Sequence, residues 1–198
     1  VWKYIHIIEQ VKPKAFVFEN VTGLLSAKNA QGEKIIELLK VAFKNIGYTI
    51  EQQVMNAADY GIPQRRKRVI IVGLKDKKFV FPKPTHSEDG IHLKRYVSVE
   101  EALGDLPEAI RDERGHVEYP MPPQNEYQRY VRRSVKVTEH FMPQMSELDE
   151  YIVSHVKPGG NYRDIPADVN SSRIKRLQRD GGHTTCYGRL SPDKPSYT

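Results

Sequence analysis

The chain has 198 residues, enough for one full domain or for one and a half smaller ones. Its apolar fraction of 38% and charged fraction of 28% are typical of a soluble protein and argue against a membrane or disordered one. No apolar run approaches the ~20 residues of a membrane span, no signal peptide is visible, and a single cysteine excludes an internal disulfide, which indicates a reducing compartment. The net charge of +6 suggests a polyanionic partner.

The first part of the chain alternates between predicted helices and strands. The apolar spacing predicts the end of a helix over 1–11, a strand over 15–19, a helix over 31–46, a strand over 48–56, a turn over 59–63 and a strand over 69–74. This alternation favours an α/β fold, here part of a doubly wound, Rossmann-like sheet whose last two strands are antiparallel.

The second part of the chain is expected to be an irregular α+β region. The polar, proline-rich stretch FPKPTHSEDG indicates a connector, and residues 97–107 a short helix capped by Ser98 with an acidic first turn. Prolines then recur too often for long elements, so only small helices near 125–135 and 146–156 are expected.

The charge of the chain is unevenly distributed. Residues 60–95 carry ten lysines and arginines against three acidic residues, and residues 163–194 carry seven against four. Between these two basic zones, residues 96–150 carry six basic residues against twelve acidic ones. Zones of opposite charge indicate surfaces with separate tasks, as a nucleic-acid-binding protein requires.

Charged residues lie at the ends of two predicted strands, where ligands collect in open α/β sheets. Glu19 ends the 15–19 strand, although a strand that simply ends in water would look the same. Gln64, Arg66 and Arg68 alternate before the 69–74 strand, so an extended backbone puts them on one face. A solvated face is the usual explanation for such a charge run. Here Arg68 adjoins an apolar strand, where a guanidinium needs a carbonyl, carboxylate or phosphate partner.

Two motifs in these places resemble a known family. FENVTGLL from residue 18 and NAADYGIPQRRKRVIIVG from residue 56 are similar to the second half of the catalytic domain of DNA cytosine methyltransferases that modify ring carbon 5. PKPTHSEDG, VEEALGDLP, VKPGGNYRDIP and HTTCYGRLSPDKPSYT resemble the region leading into and through that family's target-recognition segment. The resemblance covers nearly the whole chain.

The resemblance implies a reaction and residue roles. In this family a cysteine thiolate adds to carbon 6 of a flipped-out cytosine, and the resulting enamine takes a methyl group from S-adenosylmethionine. Glu19 would bind ring nitrogen 3 and the exocyclic amine, a role that favours a buried carboxyl group because burial favours the protonated form. Arg66 and Arg68 would hold the cytosine carbonyl oxygen and the active-site loop. Asn20 and Gln64 would support the site structurally, and the charged ends of Glu19 and Arg68 should lie within roughly 8 Å.

Other parts of the family pattern are missing. The family's nucleophile lies in a Pro-Cys pair, which does not occur here, and the glycine-rich loop that binds S-adenosylmethionine and the segment that closes its site are also absent. The sole cysteine, Cys186, is interpreted as a small loop side chain and not as the nucleophile, although His183 is nearby. Because the chain starts at Val1 and stops at Thr198 without a closing element, we expect a piece of a longer enzyme, inactive alone and without cofactor-binding residues of its own.

Double-stranded DNA is the partner that the resemblance implies. The residues expected to contact its phosphates or its guanine edges are Arg65, Arg173, Arg176, Arg179, Arg189 and Lys194. The missing N-terminal catalytic part, covalently linked or a separate chain, is the other expected partner. The seven histidines lack metal-ligand spacing, so no metal is expected, and no membrane contact either. The expected location is the prokaryotic cytoplasm, in association with DNA.

The chain is therefore expected to have three parts. Residues 1–80 would be the second half of the catalytic domain, 81–108 a connector with a short helix, and 109–198 the target-recognition region. Two alternatives stay open: a non-catalytic recognition subunit of a split methyltransferase, and an unrelated basic α/β protein that binds RNA. A companion chain ending near a Pro-Cys segment would favour the first, and equal affinity for single-stranded RNA and duplex DNA the second.

Overall fold

The computed structural model describes residues 2–111, 117–142 and 144–197. The helices are α1 (Trp2–Val11), α2 (Ile35–Asn45), α3 (Val99–Leu103), α4 (Glu126–Val131), α5 (Glu147–His155) and α6 (Ser172–Asp180), with short 3-10 helices at Thr22–Leu25, Ala57–Tyr60 and Tyr162–Asp164. The strands are β1 (Ala15–Val21), β2 (Thr49–Asn56), β3 (Gln64–Arg65), β4 (Lys67–Leu74), β5 (His86–Ser87), β6 (Lys94–Arg95), β7 (Ile110–Arg111), β8 (Val117–Glu118), β9 (Lys136–Val137), β10 (Phe141–Met142) and β11 (Ser196–Tyr197).

The first core lies between helices α1 and α2 and a three-stranded sheet. Strand β4 is in the middle and pairs antiparallel with β1 on one side and with β2 on the other, which confirms the predicted antiparallel pairing of the last two strands. The side chains of Leu39, Phe43, Val69 and Ile71 are fully buried. Each such side chain contributes about 1.5–3 kcal/mol through its removal from water, so this core rigidly supports the strand ends.

Side chains of β1 alternate between this core and the opposite face of the sheet. Phe16 and Phe18 are buried in the core, whereas Val17 is 61% exposed on the other face. Across from Phe16, Gly73 of β4 leaves room for the aromatic ring, because a Cβ at this position would overlap it. The close packing of strand and ring therefore requires glycine here.

Both strands that carry the candidate site differ in extent from the prediction. Strand β1 continues past Glu19 to Val21, and β4 begins at Lys67, so Arg68 lies inside the strand. The reason is the antiparallel ladder, which extends to the pairing of Val21 with Arg68. Arg68 consequently has a fixed orientation relative to β1.

Helix α2 begins at Ile35, later than predicted. The Asn29 carboxamide oxygen accepts hydrogen bonds from the Gln31 and Glu33 N–H groups at 3.0 and 2.9 Å, and Gly32 has a φ of 82°. Such side-chain-to-backbone bonds compete with helical hydrogen bonds, so the preceding residues form a turn instead.

Buried polar contacts hold the region after the sheet together. Ser98 caps α3, as predicted, and forms a capping box with Glu101 of the acidic first turn. Asp105 Oδ2 lies 3.0 Å from Arg132 Nη2, and the two side chains are only 5% and 13% exposed. The guanidinium of Arg132 also stacks on the Tyr119 ring, 3.4 Å from its centre. The two small helices expected here are confirmed as α4 and α5.

A second core lies in the last third of the chain. Its buried residues are Ile152, Val156, Tyr162, Ile165, Val169 and Ile174. Helix α6, which was not predicted, contacts this core mainly through Ile174 and exposes most of its other side chains, so its apolar periodicity is weak. In the part of the chain that is described, no helix is both long and apolar enough to cross a membrane.

Residues 190–197, here named the strap, return to the segment that precedes β4. The carbonyl of Lys194 accepts the Val99 N–H at 2.9 Å, at the start of α3. Further on, β11 pairs in parallel with β3, and the Ser196 N–H donates to the Pro63 carbonyl at 2.9 Å. The strap thus connects the second part of the chain to the segment that contains the candidate arginines.

Candidate active site

A carboxylate and two guanidinium groups converge at one end of the sheet. Val21 pairs with Arg68 across the strands, and Glu19 lies on the same face as Val21 because side chains alternate along a strand. Arg68 Nε is 3.0 Å from Glu19 Oε1, and Arg66 Nη2 is 3.9 Å from the same oxygen. The structure therefore brings together all three predicted catalytic residues, well within the expected distance.

Within this cluster, the Glu19 carboxylate, a hydrogen-bond acceptor, lies beside the guanidinium donors of Arg66 and Arg68. Arg68 is the more constrained arginine: its side chain is 20% exposed, and its Nη1 donates to the Lys67 carbonyl at 2.8 Å. Arg66 is 41% exposed. In both ion pairs the shortest distance is to Oε1 of Glu19. A carboxyl group next to guanidinium donors can address a ligand edge that carries a carbonyl, a ring nitrogen and an amine.

The role that the resemblance implies for Glu19 favours a buried carboxyl group, but among the described residues Glu19 is exposed. The Glu19 side chain is 51% exposed. Its neighbours on the same face of β1, Val17 and Val21, are 61% and 55% exposed. The reason is that β1 is an edge strand whose outward face is left open by the residues that the structure describes.

Asn20 and Gln64, the predicted supporting residues, do not contact Glu19. Asn20 lies on the opposite face of β1 from Glu19, and its Oδ1 accepts the Val21 N–H at 2.9 Å. The backbone of Gln64 pairs with Ser196 of the strap, and its side chain makes no hydrogen bond with a described residue. Their supporting roles stay predictions.

Arg65, expected to contact DNA, is bound within the protein. Its Nη1 and Nη2 contact the two carboxylate oxygens of Glu88 at 3.1 and 2.5 Å, and its guanidinium carbon lies 5.6 Å from the centre of the Tyr96 ring. The hydrogen bond from Arg65 lowers the pKa of Glu88 below its usual value. Glu88 and Tyr96 were not identified from the sequence, in which only the acidic SEDG stretch beside a basic zone points to such a contact.

The three arginines of α6 differ in availability. Arg179 forms a two-pronged contact with Asp180 at 2.6 and 3.0 Å, and Arg173 lies 5.6 Å from the centre of the Tyr187 ring. Arg176 is exposed and forms no ion pair with a residue that the structure describes. Arg176 is therefore the α6 arginine that is most free to bind a phosphate or a base.

The remaining candidates lie on two other segments. Arg189 Nη1 donates to the Val156 carbonyl at 3.2 Å, beside the second core. Lys194 is exposed on the strap, near the start of α3. Cys186 is half-buried and packs against the second core, as a small loop side chain would. The expected DNA contacts are thus spread over α6, the turn that contains Arg189 and the strap.

The end of β1 contains no glycine-rich loop for a cofactor. The chain passes directly from Val21 into the 3-10 helix Thr22–Leu25, which contains a single glycine. Within residues 2–111, 117–142 and 144–197, no group of three or more His, Cys, Asp or Glu side chains could hold a metal ion.

Two comparisons with known proteins identify the class of protein to which this sheet and this cluster belong. The fold is similar to that of a solved prophage-encoded protein from E. coli, described as a DNA modification methyltransferase, with a TM-score of 0.64, 18% identity and coverage of 98% of this chain and 55% of that chain. The chain belongs to the C-5 cytosine-specific DNA methylase family, whose pattern matches residues 1–193.

Curated relatives are similar over much of the chain. Type II methyltransferase M.NgoFVII of Neisseria gonorrhoeae is 30% identical over 199 residues, which cover 98% of this chain and 44% of the relative. Type II methyltransferase M.BspRI of Lysinibacillus sphaericus is 44% identical over 110 residues, which cover 52% of this chain and 25% of the relative. The chain spans less than half the length of these two relatives. Membership of the family excludes the alternative of an unrelated RNA-binding protein.

Proposed function

We propose that this chain supplies the base pocket and the DNA-reading surface of a DNA cytosine-5 methyltransferase of restriction–modification type. The contact of Glu19 with Arg68 and Arg66, at 3.0 and 3.9 Å, is the observation that carries the proposal. These residues belong to the Glu-Asn-Val and Gln-x-Arg-x-Arg motifs of the family resemblance. The curated relatives are named type II methyltransferases, and the family uses S-adenosylmethionine as its methyl donor.

The chemistry of a flipped-out cytosine matches the cluster. One edge of this base carries the carbonyl oxygen, ring nitrogen 3 and the exocyclic amine. The Glu19 carboxyl group can accept from the amine and, when protonated, donate to nitrogen 3, while a guanidinium donates to the carbonyl oxygen. Arg68, which is held by the Lys67 carbonyl, keeps its donors oriented towards the charge that develops on the base.

The second part of the proposal is that this chain supplies only part of the catalytic domain and needs a complementary part. Residues 1–80 would form the later half of a doubly wound catalytic domain, 81–108 a connector, and 109–198 the target-recognition region. A complementary part would supply the Pro-Cys nucleophile and most of the cofactor pocket. In support, the outer face of β1 is open at Val17 and Val21, and Trp2 and Val11 of α1 are 56% and 68% exposed. A complementary part on this face would also bury Glu19, as its role requires.

The complementary part is either covalently linked or a separate chain. The second possibility would make this chain the recognition subunit of a split methyltransferase, and the open edge of β1 is compatible with both possibilities. In both cases the enzyme would work on duplex DNA in the prokaryotic cytoplasm.

Transfer of labelled methyl from S-adenosylmethionine to duplex DNA tests the proposal. We expect no transfer by the isolated chain, because it lacks the nucleophile, and restored transfer when a polypeptide that carries the Pro-Cys segment is added. Restoration by a non-covalent mixture would support the split enzyme. Turnover by the isolated chain above a protein-free blank would mean that Cys186 or another residue acts as nucleophile, and the assigned roles would be wrong.

A further inference from the structure

We propose that Arg65 and Glu88 form a positioning pair that holds the Arg66–Arg68 segment against Glu19. Neither residue would touch the base, since both would act through the backbone of β3 and β4. The catalytic consequence rests on the proposed function, whereas the structural claim does not.

Arg66 itself has less backbone pairing than its two neighbours, which are paired in the β3–β11 and β2–β4 ladders. Arg66 lies between β3 and β4, outside both strands, and β3 is only two residues long. Its carbonyl accepts one hydrogen bond, from the Ala57 N–H at 3.0 Å. Because side chains alternate in extended backbone, Arg65 points away from the face of Arg66. Contacts made by Arg65 can therefore anchor the segment without blocking the pocket.

A series of contacts connects Arg65 with Lys67, the residue on the other side of Arg66. Arg65 lies against the Tyr96 ring, and the Tyr96 hydroxyl donates to Asp59 Oδ1 at 2.5 Å. Asn56 Nδ2 donates to the same Asp59 oxygen at 3.0 Å, and Asn56 is paired with Lys67 in the β2–β4 ladder. The residues immediately before and after Arg66 are thus tied to one connected set of side chains.

Glu88 lies at the end of this set. An exposed ion pair ordinarily contributes little, and the Arg65 and Glu88 side chains are 40% and 70% exposed. This pair is two-pronged, however, which fixes the orientation of the guanidinium as well as its distance. Lys194 of the strap is the other charged group that acts on Glu88, and the strap itself pairs with β3. The pair therefore lies where the base-pocket segment meets the strap.

The Nε–H signal of Arg68 in proton–nitrogen correlation spectra of the full chain reports the effect, because this nitrogen lies 3.0 Å from the carboxylate oxygen Oε1 of Glu19. Glu88→Gln should abolish or shift this signal, and so should Arg65→Lys, which keeps the charge but loses the fork. The combined swap Arg65→Glu with Glu88→Arg should restore it. Glu126→Gln is the matched control, since it breaks the similarly exposed Lys94–Glu126 pair and should leave the signal unchanged.

Backbone signals of the first core report in each sample whether the chain is folded. An unchanged Arg68 signal in folded Glu88→Gln or folded Arg65→Lys overturns the proposal. In a methyltransferase assembled with the complementary part, Glu88→Gln should lower kcat by up to about 10²-fold, the effect of a misplaced catalytic group, with DNA affinity unchanged. A loss of DNA affinity at constant kcat would instead indicate that Arg65 contacts DNA. An assembled parent protein without activity would count against the proposed function, while the Arg68 signal would still decide the positioning role.

Discussion

The region of the first core and the region from α3 onward are stabilised in different ways. In the first, ladders of seven and eight residue pairs join long strands, and aromatic rings such as Phe16 and Phe43, 4.5 Å apart, fill the space beneath them. In the second, the described strands are two residues long, and a buried ion pair, Asp105–Arg132, holds the chain together before the second core begins.

This difference corresponds to a division of tasks. The proposed base pocket lies on strands whose positions are fixed by apolar packing, as a group that must be placed to a fraction of an ångström requires. The candidate DNA contacts lie on α6, a turn and the strap, where short elements can adjust to a duplex. The connection between the two regions runs through the strap and through Glu88.

The largest expected effect tests the task assigned to the first region. Glu19→Gln keeps the shape and the hydrogen-bonding capacity but removes the acid, so it should lower the methylation rate of the complete enzyme by about the 10²–10⁴-fold typical of a general acid. DNA affinity should hardly change. Glu51→Gln is the control. Glu51 lies on the other edge strand, β2, and pairs with Val72 of the central strand, away from the arginines. Equal rates for both variants, measured by single-turnover kinetics, would contradict the pocket assignment.

The next effect tests how the second region is held together. Asp105→Asn leaves the buried Arg132 guanidinium without its counter-charge and should reduce the free energy of unfolding by about 3–5 kcal/mol. Denaturant titration of the chain measures this loss. Asp180→Asn, which breaks the exposed Arg179–Asp180 pair, should leave the midpoint nearly unchanged. A small effect of Asp105→Asn would show that packing, and not the ion pair, stabilises this region.

A smaller effect separates the arginines of α6. Arg176→Ala should flatten the salt dependence of DNA binding by about one unit of slope if Arg176 contacts a phosphate. If it reads a base, the loss should be ~1–3 kcal/mol on the cognate site alone. Arg179→Ala should lose less, because Asp180 already engages Arg179. Binding isotherms on cognate and scrambled duplexes distinguish the two cases. If Arg176→Ala binds DNA as tightly as the parent protein, the DNA-reading surface would instead be assigned to residues 60–95.

The smallest effect concerns pH at the boundary of the two regions. Burial, and then the charge of Lys94, lower the pKa of His86 below its ordinary value. As the pH falls through about 6.5, His86 becomes protonated in the unfolded chain, whereas in the folded protein it becomes protonated only at lower pH. Between these two pKa values the folded state therefore loses stability as the pH falls. In urea titrations at about pH 7.5 and about pH 5.5, on either side of the unfolded-state pKa, His86→Asn should reduce the fall in the midpoint. An equal fall in parent and variant would assign the pH dependence to other groups.

The sequence by itself determined the elements of the first region and the alternation that puts Arg66 and Arg68 on one face. Apolar residues at regular spacing can bury only one face of a helix or strand, so the pattern specifies which side chains face inwards. The charged residues at the strand ends, together with the family motifs, were enough to select Glu19, Arg66 and Arg68 as the candidate site.

Only the tertiary structure decided which partners these charges have. The contact of Arg68 with Glu19 depends on the pairing of β1 with β4, and that of Arg65 with Glu88 on the return of the chain after β4. The exposure of Glu19 depends on what covers the edge strand β1. A long polar side chain can reach many partners, and local sequence carries no record of which distant carboxylate the fold brings within 3 Å. Helix α6 was missed for a related reason, since its two inward apolar residues, Ile174 and Leu177, are too short a pattern to indicate a helix.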